Sequence, residues 1–445
     1  MGKVIAFLFC AGLALAQYTP PSVVPGLPAS APTGAWQTPQ SSAAGVSGWI
    51  AGCVFTVSTS VFSCPGSVAV GNNVLNPVQG VNDPIAPLLP HWRHALANQR
   101  TGVSDAKILF IGDSRVSGTG DSIGLSGSFP WQVCNIAKAA GLFSVCAPGL
   151  AMPINQVGTG VPVTGFAVGA DWISYGSGFA GSTLKTYTYA SNFVFTPATW
   201  WPTTSTQPVT SVPTYDSFDV YWLGGPGYGT LTCTATGGTP VVINTNTTSI
   251  PHMTTVKAGS AATSNVLTCV PSIAFVAIIG VEPWLSTVTT IRFGLAGQSG
   301  TTSVMWNNSA ISGITGGPSI QAYAPDLTVI LLDINDASAG TVWATVATNL
   351  TALINAAKVS GDVIFLNAPP PASSNTGGAN YIATYYAGEQ VLVNTLSVPL
   401  LDIYYRWGST WGASFMASGT DPVHPNLQGY ADIAGALMSF LQRIQ

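Results

Sequence analysis

Hydrophobic and polar positions follow two rhythms along this chain. Residues 107–112 read Lys-Ile-Leu-Phe-Ile-Gly, a nearly continuous apolar run of strand length, and 327–332 and 363–366 repeat the pattern. Runs of this kind suit strands buried on both faces. Elsewhere apolar residues fall at helical spacing. Trp343, Val346, Leu350, Leu353, Ile354 and Ala357 precede Gly361, and Leu427, Tyr430, Ile433, Leu437 and Leu441 follow Asn426, a good N-cap. Segments 90–96 and 130–140 read as two more helices, the second with Pro130 near its start and Gly141 at its end. Strands alternating with helices predict an α/β domain with a parallel sheet and helices on both faces.

From about 150 to 285 the rhythm changes. Alternating stretches such as Ser217-Phe218-Asp219-Val220-Tyr221-Trp222 and Thr230-Leu231-Thr232-Cys233-Thr234-Ala235 are separated by Gly-Gly-Pro-Gly and Gly-Gly turns. This pattern predicts an all-β sandwich. Residues 294–302 read as a Gly-rich turn. The simplest organisation is one α/β domain in two parts, 91–150 and 286–445, split by a β-sandwich at 151–285. Ahead of it, 17–90 read as a Pro/Ser-rich leader and a small disulfide-tied β element.

Composition narrows the function. The chain has 445 residues, with 12 Lys+Arg, 16 Asp+Glu and a formal net charge of −4. So few cations argue against a nucleic-acid partner. The His and Glu residues show no metal-site spacing, and no metal or cofactor is expected. The longest apolar run, 4–16, is shorter than the ~20 residues a membrane span needs. It follows Lys3 and ends Ala-Leu-Ala, so 1–16 read as a signal peptide and the protein as secreted or periplasmic. Beyond it lie Cys53, Cys64, Cys134, Cys146, Cys233 and Cys269. An even count in an exported chain suggests disulfides, and pairing between sequence neighbours is expected: 53–64, 134–146 and 233–269.

Four short segments could carry chemistry. Ser114, in Gly112-Asp113-Ser114-Arg115, follows a buried strand, where α/β proteins place their sites. Such a serine is a nucleophile if a base reaches it. Asp421-Pro422-Val423-His424-Pro425 can join a carboxylate to an imidazole and leave the other ring nitrogen as base. Asn335, in Asp333-Ile334-Asn335-Asp336, could donate to an oxyanion. Ser299-Gly300-Thr301-Thr302 offers backbone N–H groups. Each segment alone is better read as an ordinary turn.

In chain order, Ser, Gly, Asn and then Asp-x-x-His, the four resemble the blocks of the SGNH/GDSL hydrolase family, over roughly 91–150 and 286–445. The resemblance implies a flavodoxin-like three-layer α/β/α domain and a serine esterase. It implies Ser114, Asp421 and His424 as the triad, and an oxyanion hole of the Ser114 and Gly300 N–H groups and the Asn335 amide, with Gly297 as rival to Gly300. Two positions depart from the family pattern: Arg115 stands in place of Leu, and Asp333 in place of Gly. The long segment before the Gly block is similar to the carbohydrate-binding-like sandwich of polysaccharide and peptidoglycan O-acetylesterases. An acylated glycan or another small ester is therefore the expected substrate, with Trp172, Trp200, Trp201, Tyr221, Trp222 and Tyr228 as candidate sugar-stacking residues. An acyltransferase or lipase on the same triad is the alternative, and a catalytically silent glycan-binding protein is the alternative of another class.

Overall fold

The computed structural model describes short strands at 39–63, 74–75 and 166–168, and residues 89–118, 127–139, 192–197, 214–272, 276–297, 299–307, 316–371, 376–408, 415 and 423–443. The proposed signal peptide, Cys53, Cys64, Cys146, Trp172, Trp200, Trp201 and Asp421 lie outside the described residues. The chain divides into two compact units, 1–69 and 70–445. The first holds two antiparallel pairs, β1 (Pro39–Ser41) with β2 (Ser47–Trp49) and β3 (Val54–Thr56) with β4 (Val61–Ser63).

The second unit contains the sheet that the apolar runs predict. Its strands are β5 (Val74–Leu75), β6 (Ala106–Gly112), β15 (Ile291–Gly297), β16 (Leu327–Leu331), β17 (Asp362–Leu366) and β18 (Leu400–Leu401). Those between β6 and β15 belong to the sandwich. The order is β15-β6-β16-β17-β18-β5, and every pairing is parallel. Residues 74–75, within the 17–90 stretch read as a leader and a small disulfide-tied element, thus add an edge strand to this sheet.

Side chains alternate across the sheet, as the pleat requires. Ile108, Phe110, Val329, Leu331 and Ile364 face one layer. There Trp92 and Leu96 of helix Pro90–Arg100, Phe129 and Val133 of Phe129–Ala139, and Tyr430, Ile433 and Leu437 of Leu427–Arg443 cover them. Leu109, Ile111, Ile330, Val363 and Phe365 face the other layer, under Val346, Leu350, Leu353 and Ile354 of helix Trp343–Lys358. The result is the three-layer α/β/α arrangement expected from the sequence.

The polar-apolar alternation between 214 and 285 builds the second architecture. Strands β7 (Phe166–Val168), β8 (Phe193–Phe195), β10 (Thr230–Ala235), β11 (Val241–Asn244) and β13 (Leu267–Pro271) form one antiparallel sheet in the order β11-β10-β13-β8-β7. β9 (Tyr215–Leu223), β12 (Pro251–Ala262) and β14 (Ala277–Trp284) form another, β12-β9-β14. Phe193, Phe195, Leu231 and Leu267 of the first pack with Phe218, Val220, Val256 and Ile278 of the second in a shared core. Within it Cys233 and Cys269, directly opposed in the β10–β13 register, form a disulfide. Cys134 is also disulfide-bonded.

Two expectations change on folding. Residues 294–297, read as a turn, complete β15. Gly294 packs so closely on Leu109 and the Tyr323 ring that an added Cβ would lie 2.9 Å from both, so its glycine serves packing within a strand. Among the stacking candidates, Tyr221 and Trp222 are core residues, 1% and 6% exposed. Trp222 stacks on His252 with ring centroids 4.4 Å apart, and Tyr221 turns toward Tyr323 at 5.6 Å. Alternation along β9 points these two rings to opposite faces of their own sheet, each already covered. Tyr228 is half-buried over Gly225.

Candidate active site

The site forms where β6, β15 and β16 end. Gly112, the last residue of β6, lies against β16: a Cβ here would meet the Leu331 carbonyl oxygen at 2.2 Å. Glycine is therefore required for the neighbouring strand end to approach. Asp113 then caps the short helix Ser114–Ser117, its Oδ1 accepting from the Arg115 N–H at 2.9 Å. Ser114 becomes the first helical residue, and its N–H is among those a helix leaves without an internal partner. Its side chain is almost wholly buried, at 4% exposure for the residue.

His424 arrives from a turn 310 positions further on, and its Nε2 lies 2.8 Å from Ser114 Oγ. Three contacts set that turn. Asn426 Oδ1 accepts from the Gly429 N–H at 2.9 Å and caps the last helix, as predicted. The Asn426 N–H donates to the Phe415 carbonyl at 2.8 Å. The Phe415 ring stacks on Trp407 at 4.8 Å.

Asn335 follows β16 and is partly buried, its Nδ2 donating to the Thr301 carbonyl at 3.0 Å. An amide carries two N–H donors, so this bond orients Nδ2 and leaves a second N–H. Asp336 accepts from the Ser303 N–H at 2.7 Å and the Ser303 hydroxyl at 2.9 Å, and so ties the loop after β15 to the end of β16. Gly300 occupies that loop with φ +77° and is exposed. Gly297 ends β15 opposite Gly112, and a Cβ there would lie 2.8 Å from the Ser117 nitrogen.

The two departures from the family pattern turn out to be partners. Arg115 is fully buried, as are Asp113 and Asp333. Its Nε and NH2 groups donate to Asp113 at 3.0 and 2.7 Å, and the same NH2 donates to Asp333 Oδ1. Burial works against the guanidinium charge, and the two carboxylates outweigh it, so Arg115 stays protonated. The Asp333 carboxylate is thus held against Arg115, while the Asn335 amide is held by the Thr301 carbonyl.

Behind Asp333 lies Glu389, also fully buried. Burial first, and then the facing Asp333 carboxylate, push the Glu389 carboxyl well above its ordinary value. Tyr381, its phenol held protonated by burial, donates to Glu389 Oε2 at 2.8 Å and accepts from the Ala368 N–H at 3.0 Å. Asp333 Oδ2 and Glu389 Oε1 have no other donor. Burial raises the Asp333 carboxyl too, though Arg115 works against that, so a proton shared by this pair belongs with Glu389. Nothing local in the sequence singles out Tyr381 or Glu389. The available signal is that Glu389 is one of two glutamates in the chain, and both are buried.

Residues 281–431 match the model of the GDSL-like Lipase/Acylhydrolase family. The matched segment, about a third of the chain, has the sequence of a GDSL-like acylhydrolase and supports a carboxylic ester hydrolase of the SGNH/GDSL type. The matched segment begins after most of the sandwich; Ser114, which precedes it, joins the site because β6 inserts between β15 and β16. Among solved structures, a peptidoglycan O-acetylesterase is similar in fold at 14% identity and TM-score 0.57, over 80% of this chain and 96% of that one. A carbohydrate esterase family 2 enzyme with a carbohydrate binding domain from Corynascus thermopiles (Myceliophthora fergusii) aligns at 11% identity, over 66% of this chain and 98% of that one, with TM-score 0.27. A family two carbohydrate esterase from Cellvibrio japonicus aligns at 10% identity, over 67% and 96%, with TM-score 0.25. No curated protein sequence matches this chain.

Proposed function

We propose that the protein is a secreted or periplasmic serine esterase that removes short acyl groups, O-acetyl above all, from a polysaccharide. The observation that carries this reading is the 2.8 Å approach of His424 Nε2 to Ser114 Oγ. At that distance the imidazole can take the hydroxyl proton as the oxygen attacks an ester carbonyl. His424 then gives the proton to the departing alcohol, leaving an acyl-Ser114. Water, deprotonated by the same ring, attacks next and releases the acid and free Ser114. Asp421, three residues before His424, orients the ring in this scheme. The Ser114 and Gly300 N–H groups and Asn335 Nδ2 hold the oxyanion, each donor worth about 3 kcal/mol of barrier.

The pairing of Arg115 with Asp333 supports an active site over a silent scaffold, because it sets a cation against the carboxylate that would oppose an oxyanion. Export is supported by the 4–16 segment and by the Cys233–Cys269 disulfide. No helix among the described residues is long and apolar enough to cross a membrane. An acetylated glycan as substrate is consistent with the fold shared with a peptidoglycan O-acetylesterase. Ser114→Ala should abolish release of acetate from acetylated glycans and turnover of p-nitrophenyl acetate. Turnover that survives the substitution overturns the mechanism, and a preference for long-chain p-nitrophenyl esters overturns the substrate class.

A further inference from the structure

We propose that Arg115 is a positioning residue for the oxyanion hole, a buried clamp that fixes the spacing between the Ser114 N–H and the Asn335 amide. The inference rests on the esterase reading above. β6 and β16 are neighbouring parallel strands, with Gly112 opposite Leu331. Just beyond their ends lie Asp113-Ser114-Arg115 on one strand and Asp333-Ile334-Asn335 on the other. Main-chain ladder bonds stop at the strand ends, so another contact has to hold the two segments in register. The Arg115 fork supplies it, gripping Asp113 on its own strand and Asp333 on the next.

Ser114 stands between the two clamped residues that follow β6, and Asn335 stands two positions past the clamped residue that follows β16. A change in the Arg115–Asp333 separation therefore moves one donor against the other. The clamp extends to a third strand end: Asp333 meets the Glu389 carboxyl, Glu389 meets Tyr381, and Tyr381 accepts from the Ala368 N–H just past β17. Every side chain in this path is fully buried. Arg115 thus acts on catalysis through position, without touching substrate. Oxyanion stabilisation is steep in donor geometry, so a small relaxation is costly in kcat.

The test uses the full chain, p-nitrophenyl acetate as substrate and a fluorophosphonate as probe of Ser114. Arg115→Leu and Asp333→Gly should each lower kcat by ~10²-fold with KM within ~2-fold of wild type, and slow fluorophosphonate labelling in parallel. The double variant should recover from the Arg115→Leu level to within ~10-fold of wild type, because Asp333 is then no longer an unpaired buried charge and Asp113, the one carboxylate left without its cation, keeps the N–H of residue 115. Arg115→Lys keeps the charge but cannot span both carboxylates, and decides the matter if the leucine variant does not fold. It should melt cooperatively, with kcat reduced and KM unchanged. Wild-type kcat in Arg115→Lys, or a double variant whose loss equals the product of the single losses, overturns the clamp. Ser114→Ala separates the two ideas: if it retains turnover the esterase reading itself falls, whereas an inert Ser114→Ala beside a fully active Arg115→Lys sinks the clamp alone.

Discussion

Arg292 on β15 donates to Glu282 on β14, so a buried ion pair joins the hydrolase sheet to the sandwich. The same NH2 group lies 2.5 Å from Asp219 on β9, and the hydroxyls of Tyr221 and Tyr323 donate to Glu282 at 3.2 and 3.0 Å. Asp105, ahead of β6, lies 3.6 Å from the NH1 group of Arg292, so four charged groups from two architectures share one largely buried cluster. Arg292→Ala would leave three carboxylates, Asp105, Asp219 and Glu282, without this cation. The expected cost is about 3–5 kcal/mol of stability, read from urea unfolding. A loss under about 1 kcal/mol, the size of an exposed pair, would show that the cluster does not hold the junction.

Asn335→Ala should separate binding from chemistry. The amide would assist the oxyanion more than the ground-state carbonyl, so kcat should fall by roughly 10²–10³-fold with KM little changed. A rise in KM at constant kcat would place Asn335 in substrate binding instead.

Glu389 gives stability a defined dependence on pH. Its carboxyl is raised on folding from an ordinary value of 4.5. The folded state therefore holds this proton more tightly than the unfolded chain does. That contribution is complete below pH 4.5 and is lost as pH rises from there through the folded value. Glu389→Gln cannot ionise, yet its amide N–H can donate to Asp333 while its carbonyl accepts from Tyr381. Melting temperatures should show the variant gaining on wild type between pH 4.5 and 8, with the gap closing toward acid. Parallel curves would mean that Glu389 does not hold the proton.

The Cys233–Cys269 bridge closes a loop of sequence separation 36 inside the sandwich core. Replacing both cysteines by alanine should cost about 2–4 kcal/mol, mostly by freeing the unfolded chain. Both cysteines are fully buried, so thiol titration after mild reduction should find neither until the protein is unfolded.

Much of the fold was readable because it depends on burial. A strand covered on both faces needs an unbroken apolar run, and 107–112, 327–332 and 363–366 have one. A helix covered on one face needs apolar residues three and four apart, and 343–358 and 427–441 have them. The edge strand β15 broke the rule: its Gly-Leu-Ala-Gly tail looks like a turn, and only the Tyr323 ring and the Val116–Ser117 segment packed against it make small residues necessary there. The aromatic residues of β9 misled in the opposite direction. Tyr221 and Trp222 could have faced a ligand or a core, and alternation alone does not say that both faces of this sheet are covered.

The chemistry divides along the same line. Residue order and type by themselves determined that a serine after a buried strand, an asparagine after another and an Asp-x-x-His turn near the end could form an ester-hydrolysing site. Short-range patterning also determined the disulfide partner of Cys233, because neighbouring antiparallel strands bring their own residues face to face. Only the tertiary structure decided what Arg115 and Asp333 do. Each departs from the expected pattern and looks costly alone, since an unpaired charge has no place at a buried strand end. They are 218 positions apart, and nothing local couples them. Parallel pairing of β6 with β16 sets them side by side, and fully buried there the two charges stabilise each other.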